Sequence, residues 1–267
     1  MEMKIDGCRA LITGASAGIG REFARQLAAR GCSLVLVARR RERLAQLRDE
    51  LCNQHPNLAV YVHVVDLSEK SQVDEFVQWL KQNDIKVDFL INNAGLGDMG
   101  PFATSDPLHN HQMLSVNIVA LTVLTRALLP QMISRNRGAI LNVSSTAGFL
   151  PIPNFAVYAA TKAYVTSFSE ALRGELGGTG VTVTTLCPGP VHTEFGDVAK
   201  RPGVQPRVGP EFIYVSTEQV VKESLDGVEA GKPLVIPGWF MKLGMFLARV
   251  TPMPVLRLAW RIGAKRA

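Results

Sequence analysis

Short apolar runs rich in β-branched residues alternate along the chain with segments whose apolar positions recur at helical spacing. The first run, RALIT, predicts a strand, followed by a helix from about Ile19 to Arg30 and a second strand, SLVLVA. A basic helix starts near Arg41, the strand AVYVHVV follows, and the spacing predicts a helix from Lys70 to Gln82. VDFLINN, a long helix around Met113 to Ser134, GAILNVSS and the helix containing VYAATKAYV come next. VTVTTLCP, the capped helix STEQVVKESLDGVEAG and the short strand PLVIPG complete the series. Strands that are apolar almost throughout are covered on both faces, and their alternation with helices builds a parallel sheet. The expected class is α/β, with one doubly wound parallel sheet and helices on both faces.

Two stretches depart from this rhythm. Residues 190–216 are rich in proline and glycine, and a loop of that length usually serves as a lid. Residues 238–267 form a tail, leaving residues 1–237 as one domain. Of 29 basic residues, six (Lys242, Arg249, Arg257, Arg261, Lys265, Arg266) lie in this tail, which has no acid. The rest balances at 23 basic against 23 acidic residues, which argues against a nucleic-acid surface. Apolar residues make up 47% and charged residues 19% of the 267, the balance of a compact globular chain. MEMKIDGCRALITGAS holds no long apolar segment, so no secretory or transit signal is expected and a cytoplasmic location is. Cys8, Cys32, Cys52 and Cys187 show no CxxC spacing and read as free thiols, mostly buried.

The chemistry sits between these elements. TGASAGIG, Thr13 to Gly20, follows the first strand and opens the first helix. Glycines at 14, 18 and 20 let a pyrophosphate approach backbone N–H groups at a helix N-terminus. Tyr158 and Lys162 stand four apart on one helical face, an ammonium beside a phenol. A phenol titrates near 10, and a neighbouring cation is expected to bring it toward the range of a working acid or base.

TGASAGIG resembles the TGxxxGxG motif of the short-chain dehydrogenase/reductase family, and the likeness extends along most of the chain. NNAG (Asn92 to Gly95), Asn117 in SVN, Ser145 in NVSS, the YxxxK pair, PGPVHT (Pro188 to Thr193) and Asp66 in VVDLS match the family's motifs in order. The resemblance implies a Rossmann-type fold and catalysis by Asn117, Ser145, Tyr158 and Lys162. Tyr158 would give its proton to a substrate carbonyl, Ser145 would bind the same oxygen, Lys162 would also hold the nicotinamide ribose, and Asn117 would anchor a proton-relay water. Ser144 and Ser145 point to opposite sides of a strand end, and the thirteen-residue interval to Tyr158 favours Ser145. The implied cofactor residues begin with Gly14, Ser16, Ala17, Gly18, Ile19 and Gly20, then Asp66 and Leu67 beside the adenine. Asn93, Ala94 and Gly95 follow, with Tyr158 and Lys162 at the ribose. Pro188, Gly189, Val191 and Thr193 are expected at the nicotinamide.

The second strand ends without the acid that binds NAD ribose hydroxyls in this architecture. Ala38 stands there instead, with Arg39 and Arg40 after it, and no Asp or Glu occurs from Phe23 through Arg41. Arginines at a helix start oppose its dipole, so an anion should offset them. The expected anion is a 2′-phosphate held by Arg39 and helped by Arg40, hence NADP(H). His109 and His111 lack a third ligand and read as solvated helix-start residues, with no metal expected. Trp79 reads as core.

The lid carries Val191, Phe195, Val198, Val204, Val208, Phe212 and Tyr214, with charges of mixed sign. That favours an apolar or amphipathic ketone, either a 3-oxoacyl thioester or a steroid-like ketone, reduced reversibly to the alcohol. The alternative from another class is a non-catalytic NADPH-sensing regulator, against which the complete proton-relay set argues. A third is a membrane-surface interaction protein acting through its tail. The long helix IVALTVLTRALLPQMI is apolar on more than one face, which predicts a homodimer or homotetramer. In the tail, Pro252 and Pro254 separate two segments too short to span a bilayer. Trp239, Phe240, Phe246 and Leu247 lead the first; in the second Arg257, Arg261 and Lys265 share a face away from Val255, Leu258, Ala259 and Ile262, with Trp260 at the border. Two readings stand: packing on the domain or a neighbouring subunit, or an interfacial anchor on anionic lipid.

Overall fold

The computed structural model describes residues 4–201 and 210–257. The expectations for Val204, Val208 and residues 258–267 lie outside that range. Seven parallel strands form one sheet in the order β3-β2-β1-β4-β5-β6-β7: β1 (Arg9–Thr13), β2 (Ser33–Ala38), β3 (Val60–Val64), β4 (Phe89–Asn92), β5 (Gly138–Val143), β6 (Val181–Leu186) and β7 (Leu234–Val235). The connecting helices are α1 (Gly18–Ala29), α2 (Arg41–Gln54), α3 (Lys70–Gln82), α4 (Pro107–Leu114), α5 (Leu121–Ser134), α6 (Ala156–Glu175), α7 (Glu194–Ala199), α8 (Thr217–Glu229) and α9 (Trp239–Val250).

Alternate strand residues feed two cores, because successive side chains leave a strand on opposite faces. Ile12, Leu36 and Ile91 pack with Phe23 and Leu27 of α1, Leu47 of α2 and Leu225 of α8. Leu11, Val35 and Leu90 pack on the other face with Phe76 of α3, Leu124 and Leu128 of α5, and Leu172 of α6. The strand order reverses at β1 and β4, and in such sheets the crevice at the strands' carboxyl ends is where ligands bind.

Three expectations change. The long helical run begins at Pro107, six residues before the expected Met113, because Asp106 caps it by accepting from the Leu108 N–H at 3.0 Å and Pro107 fits its first turn. Between α4 and α5 the backbone is a π-helix, Ser115–Ala120, which holds Asn117. The lid is less irregular than its composition suggests, since it contains α7 and a 3₁₀ turn, Glu211–Ile213. Trp79, expected in the core, is partly buried and packs at the edge of the second one, its ring centroid 3.8 Å from that of His63. Cys8, Cys32 and Cys187 are buried, Cys52 is partly so, and all four are free.

Candidate active site

Register places Ile12 opposite Ile91, so the glycine turn after β1 and the NNAG stretch after β4 leave the sheet together. Thr13 joins them: its Oγ1 accepts from the N–H groups of Asn93 and Ala94, both at 3.0 Å, and its carbonyl accepts from Asn93 Nδ2 at 2.9 Å. Gly14 has φ +68°, and a Cβ there would come within 2.9 Å of the Ala94 Cα. A Cβ on Gly20 would meet the Gly14 carbonyl at 2.3 Å. Ala17 enters α1 extended with no side-chain cap, and the first turn holds no acid. The N–H groups that open α1 are therefore offered to an anion in a cradle that side chains would fill, which fits a dinucleotide pyrophosphate. Ser16 is buried in this turn and Ile19 packs on the core below it.

Thr193, the last residue before α7, lies over Gly18, whose Cβ would stand 3.2 Å from the threonine methyl. The segment leading to it is fixed by the Pro188 carbonyl, which accepts from Thr146 N–H at 3.0 Å, and by a parallel bridge between Val191 and Val215. Gly189 makes room for Met241 of α9.

The remaining residues converge from β5, the π-helix and α6. Ser144 points away from the crevice, donating to the Lys162 carbonyl at 2.8 Å and pairing with Thr166 Oγ1 at 2.8 Å. Ser145 turns the other way and starts the 3₁₀ turn Thr146–Phe149, its Oγ accepting from Ala147 N–H at 3.1 Å, with the Tyr158 phenol as its electrostatic neighbour. Gly148 lets that turn close on α6, since a Cβ would stand 2.7 Å from the Lys162 backbone. Lys162 Nζ donates to the Val143 carbonyl at 2.9 Å. Asn117 is tied at both ends of its amide: Oδ1 accepts from Leu96 N–H at 2.8 Å, while Nδ2 donates to the Leu96 carbonyl at 2.9 Å and to Thr161 Oγ1 at 3.0 Å. Gly95 lies beneath both, as its Cβ would be 3.4 Å from Lys162 Nζ and 3.5 Å from Asn117 Oδ1.

The electrostatics correct the expectation from the four-residue spacing. Burial pushes the Tyr158 phenol up to about 12, with its hydrogen bond to Ser145 working in the opposite direction. Burial pushes the Lys162 ammonium down to about 8. Nζ stands 5.7 Å from the Tyr158 ring centroid, and its hydrogen bond goes to Val143. Loss of hydration outweighs that separated charge and favours the neutral form of both groups. The phenol therefore holds its proton at neutral pH, as an acid ready to donate.

The arginines at the end of β2 already have carboxylate partners in the chain, so the expected phosphate is not the sole anion offsetting them. Arg39 Nη1 is 3.7 Å from Asp66 Oδ2. Burial pushes the Asp66 carboxyl up, but Ser68's two hydrogen bonds and Arg39 outweigh it, and the net shift is downward. Leu67 is buried beside it. Arg40 donates to Ser16 Oγ at 3.2 Å and to Glu194 at 2.8 Å, and Arg43 donates to both Glu194 oxygens at 2.7 Å. Neither Glu194 nor Arg43 emerged from sequence reasoning. The signals were an acid directly after Thr193 and the fourth arginine of RRRER.

α7 sits over Tyr158. The Phe195 ring is 5.6 Å from the phenol ring and the Phe155 ring is 6.2 Å from it. The lid is latched by Met99 N–H on the Ala199 carbonyl at 2.9 Å and by a two-point ion pair between Arg201 and Asp98, its Nε–Oδ1 distance 2.6 Å. Asp98, Arg201, Phe102 and Asn154 line a small cleft beside Tyr158. His109, expected to be solvated, accompanies this latch, its Nε2 3.0 Å from the Gly97 carbonyl; His111 is exposed. Val198 and Phe212 face outward.

The profile of the short chain dehydrogenase family matches residues 9–201. A sulfoacetaldehyde reductase of Chromohalobacter salexigens is 44% identical over 187 residues, 69% of this chain and 72% of that protein. An NADP-dependent 3-hydroxy acid dehydrogenase of Escherichia coli is 39% identical over 190 residues, 70% of this chain and 75% of that protein. Among solved structures, a short-chain dehydrogenase from Sphingobium yanoikuyae in complex with NADPH superposes with a TM-score of 0.81 at 30% identity, covering 97% of this chain and 93% of that one.

Proposed function

The chain belongs to the short-chain dehydrogenase family, and we propose that this NADP(H)-dependent oxidoreductase reversibly reduces the ketone of an apolar or amphipathic substrate to its alcohol. A 3-oxoacyl thioester or a steroid-like ketone has the required character. One observation carries the substrate class: Tyr158 is flanked by Phe155 and Phe195, while Arg201, the cation lining the adjoining cleft, is neutralised by Asp98. A small anionic substrate would need an unpaired cation there.

In this reading Tyr158 donates its phenolic proton to the carbonyl oxygen, and Ser145 hydrogen-bonds the same oxygen to align it. Bound NADPH supplies the hydride, and the protein supplies alignment and the proton. Lys162 has three donors, of which Val143 takes one, leaving two for the ribose hydroxyls. Asn117, fixed through both ends of its amide, holds the π-helix in place for a relay water that returns a proton to Tyr158. The α1 N-terminus would hold the pyrophosphate, and Arg39 with Arg40 would hold the 2′-phosphate. NADPH turnover with 3-oxoacyl thioesters, steroid ketones, sulfoacetaldehyde and short keto acids tests this. Higher kcat/KM for the first two classes is expected, and preference for the small acids would overturn the substrate assignment.

We also propose a homodimer or homotetramer in which the outward faces of the run from α4 through the π-helix to α5 and of α6 pair. Leu114 of α4, Val119 of the π-helix, Ile133 of α5 and Tyr164 of α6 are exposed. Burying these apolar side chains is favourable in proportion to their area. Light scattering at micromolar concentration should find no monomer.

A further inference from the structure

α9 is apolar around most of its circumference, yet among the described residues one side alone is packed. Met245 is buried, and Met241 fills the space left by Gly189. Lys242 Nζ is fastened to Glu223 Oε2 at 3.0 Å, and the Arg249 guanidinium lies 5.3 Å from the Phe149 ring centroid. These contacts orient the helix and leave a second stripe facing outward. Trp239, Leu243, Phe246 and Val250 recur at helical spacing along it and are 63%, 47%, 64% and 60% exposed. Phe212 of the lid, 63% exposed, extends the patch by standing edge-on to Phe240 at 5.3 Å. A soluble surface seldom carries so many large apolar groups together unless something covers them.

We propose that this face docks on an anionic lipid bilayer. The charge distribution selects that occupant. Lys242 and Arg249 lie two turns apart on one flank of the stripe, and from Gly238 onward the sequence has six basic residues and no acid. An apolar stripe edged by cations matches acyl chains beneath anionic headgroups. A second copy of the same face would bring cations against cations, with no acid in the segment to pair them and Glu223 already engaged by Lys242. Docked in this way, the lid, which contributes Phe212 to the patch, lies beside the lipid, a reservoir of apolar substrate close to the site it covers.

Cosedimentation of the full chain with vesicles tests the proposal. Strong binding is expected to vesicles of equal parts phosphatidylcholine and phosphatidylglycerol at low salt. Binding should fall at high salt and on pure phosphatidylcholine, because headgroup attraction is screened or absent. Replacing Leu243→Asp together with Phe246→Asp should weaken binding at least tenfold while NADPH binding and oligomeric state stay unchanged. Quenching of wild-type tryptophan emission by lipids brominated on their chains gives a second readout that needs no variant. Absence of sedimentation on anionic vesicles, absence of quenching, or equal binding by the double variant would each overturn the proposal. So would dissociation of the wild-type oligomer by the double variant, which would make the face a subunit contact.

Discussion

Glu194 and Arg43, 151 residues apart, are joined by Nη1 contacts of 2.7 Å to both carboxylate oxygens. This ties the first residue of the lid helix to the helix that opens just after Arg39 and Arg40. The hydrogen bonds from Arg43 and then Arg40 hold the Glu194 carboxyl down to about 2, so the tie survives throughout the physiological pH range. A 2′-phosphate brought to Arg40 must share that guanidinium with a carboxylate. Glu194→Gln should therefore strengthen NADPH binding about twofold to fivefold and leave NADH binding unchanged, since an exposed charge pair is worth at most about 1 kcal/mol. Fluorescence titration with both nucleotides reads it, and equal changes for the two would place Glu194's effect on the lid alone.

Arg39 is held near Asp66 and bears on the choice of nucleotide more directly. NADPH should bind more tightly than NADH, and Arg39→Ala should remove most of the difference. A charge-assisted hydrogen bond to phosphate is worth about 1.5–3 kcal/mol, roughly tenfold to a hundredfold. Equal wild-type affinities for the two nucleotides would refute the assignment.

Tyr158→Phe keeps the ring between Phe155 and Phe195 and removes only the proton donor. Turnover should fall below a few per cent of wild type while NADPH binding remains nearly intact, with kcat measured beside a binding titration. Retained turnover would reassign the acid.

The pH profile separates Lys162 from Tyr158. With the ammonium lowered to about 8 and the phenol raised to about 12, rising pH removes the lysine proton first. For reduction, kcat/KM, which reports the free enzyme, should decline above about pH 8 while the phenol still carries its proton. Lys162→Arg keeps the charge at every accessible pH and should move this decline upward in whatever activity it retains. A decline at an unchanged pH in that variant would exclude Lys162 as its source.

Asp98→Asn should free the Arg201 guanidinium beside Tyr158. The ratio of kcat/KM for a short keto acid to that for an apolar ketone should rise about tenfold, the worth of a charge-assisted hydrogen bond. An unchanged ratio would mean that the Arg201 cation does not face substrate.

The sequence alone carried the strand–helix alternation, the glycine turn at the first strand end, and the order of the motifs. These are legible because periodicity, glycine's freedom from Cβ clashes and the helical i, i+4 spacing act within a few residues. RALIT and SLVLVA became β1 and β2 at the expected residues, as did the helix Lys70–Gln82. The early start of the run at Pro107 was also written locally, in Asp106 and the proline.

Tertiary structure decided the rest. Spacing alone makes Lys162 a neighbour of Tyr158. Whether its charge lowers the phenol's pKa depends on burial and on the Val143 carbonyl, 19 residues away, that takes the ammonium's hydrogen bond. Arg40 and Arg43 reach Glu194 across 154 and 151 residues, and Arg201 reaches Asp98 across 103. No local pattern encodes such pairs, because each exists only once packing has brought separate elements to one end of the sheet. A charge in a sequence has a sign; its partner and its hydration are set by the fold.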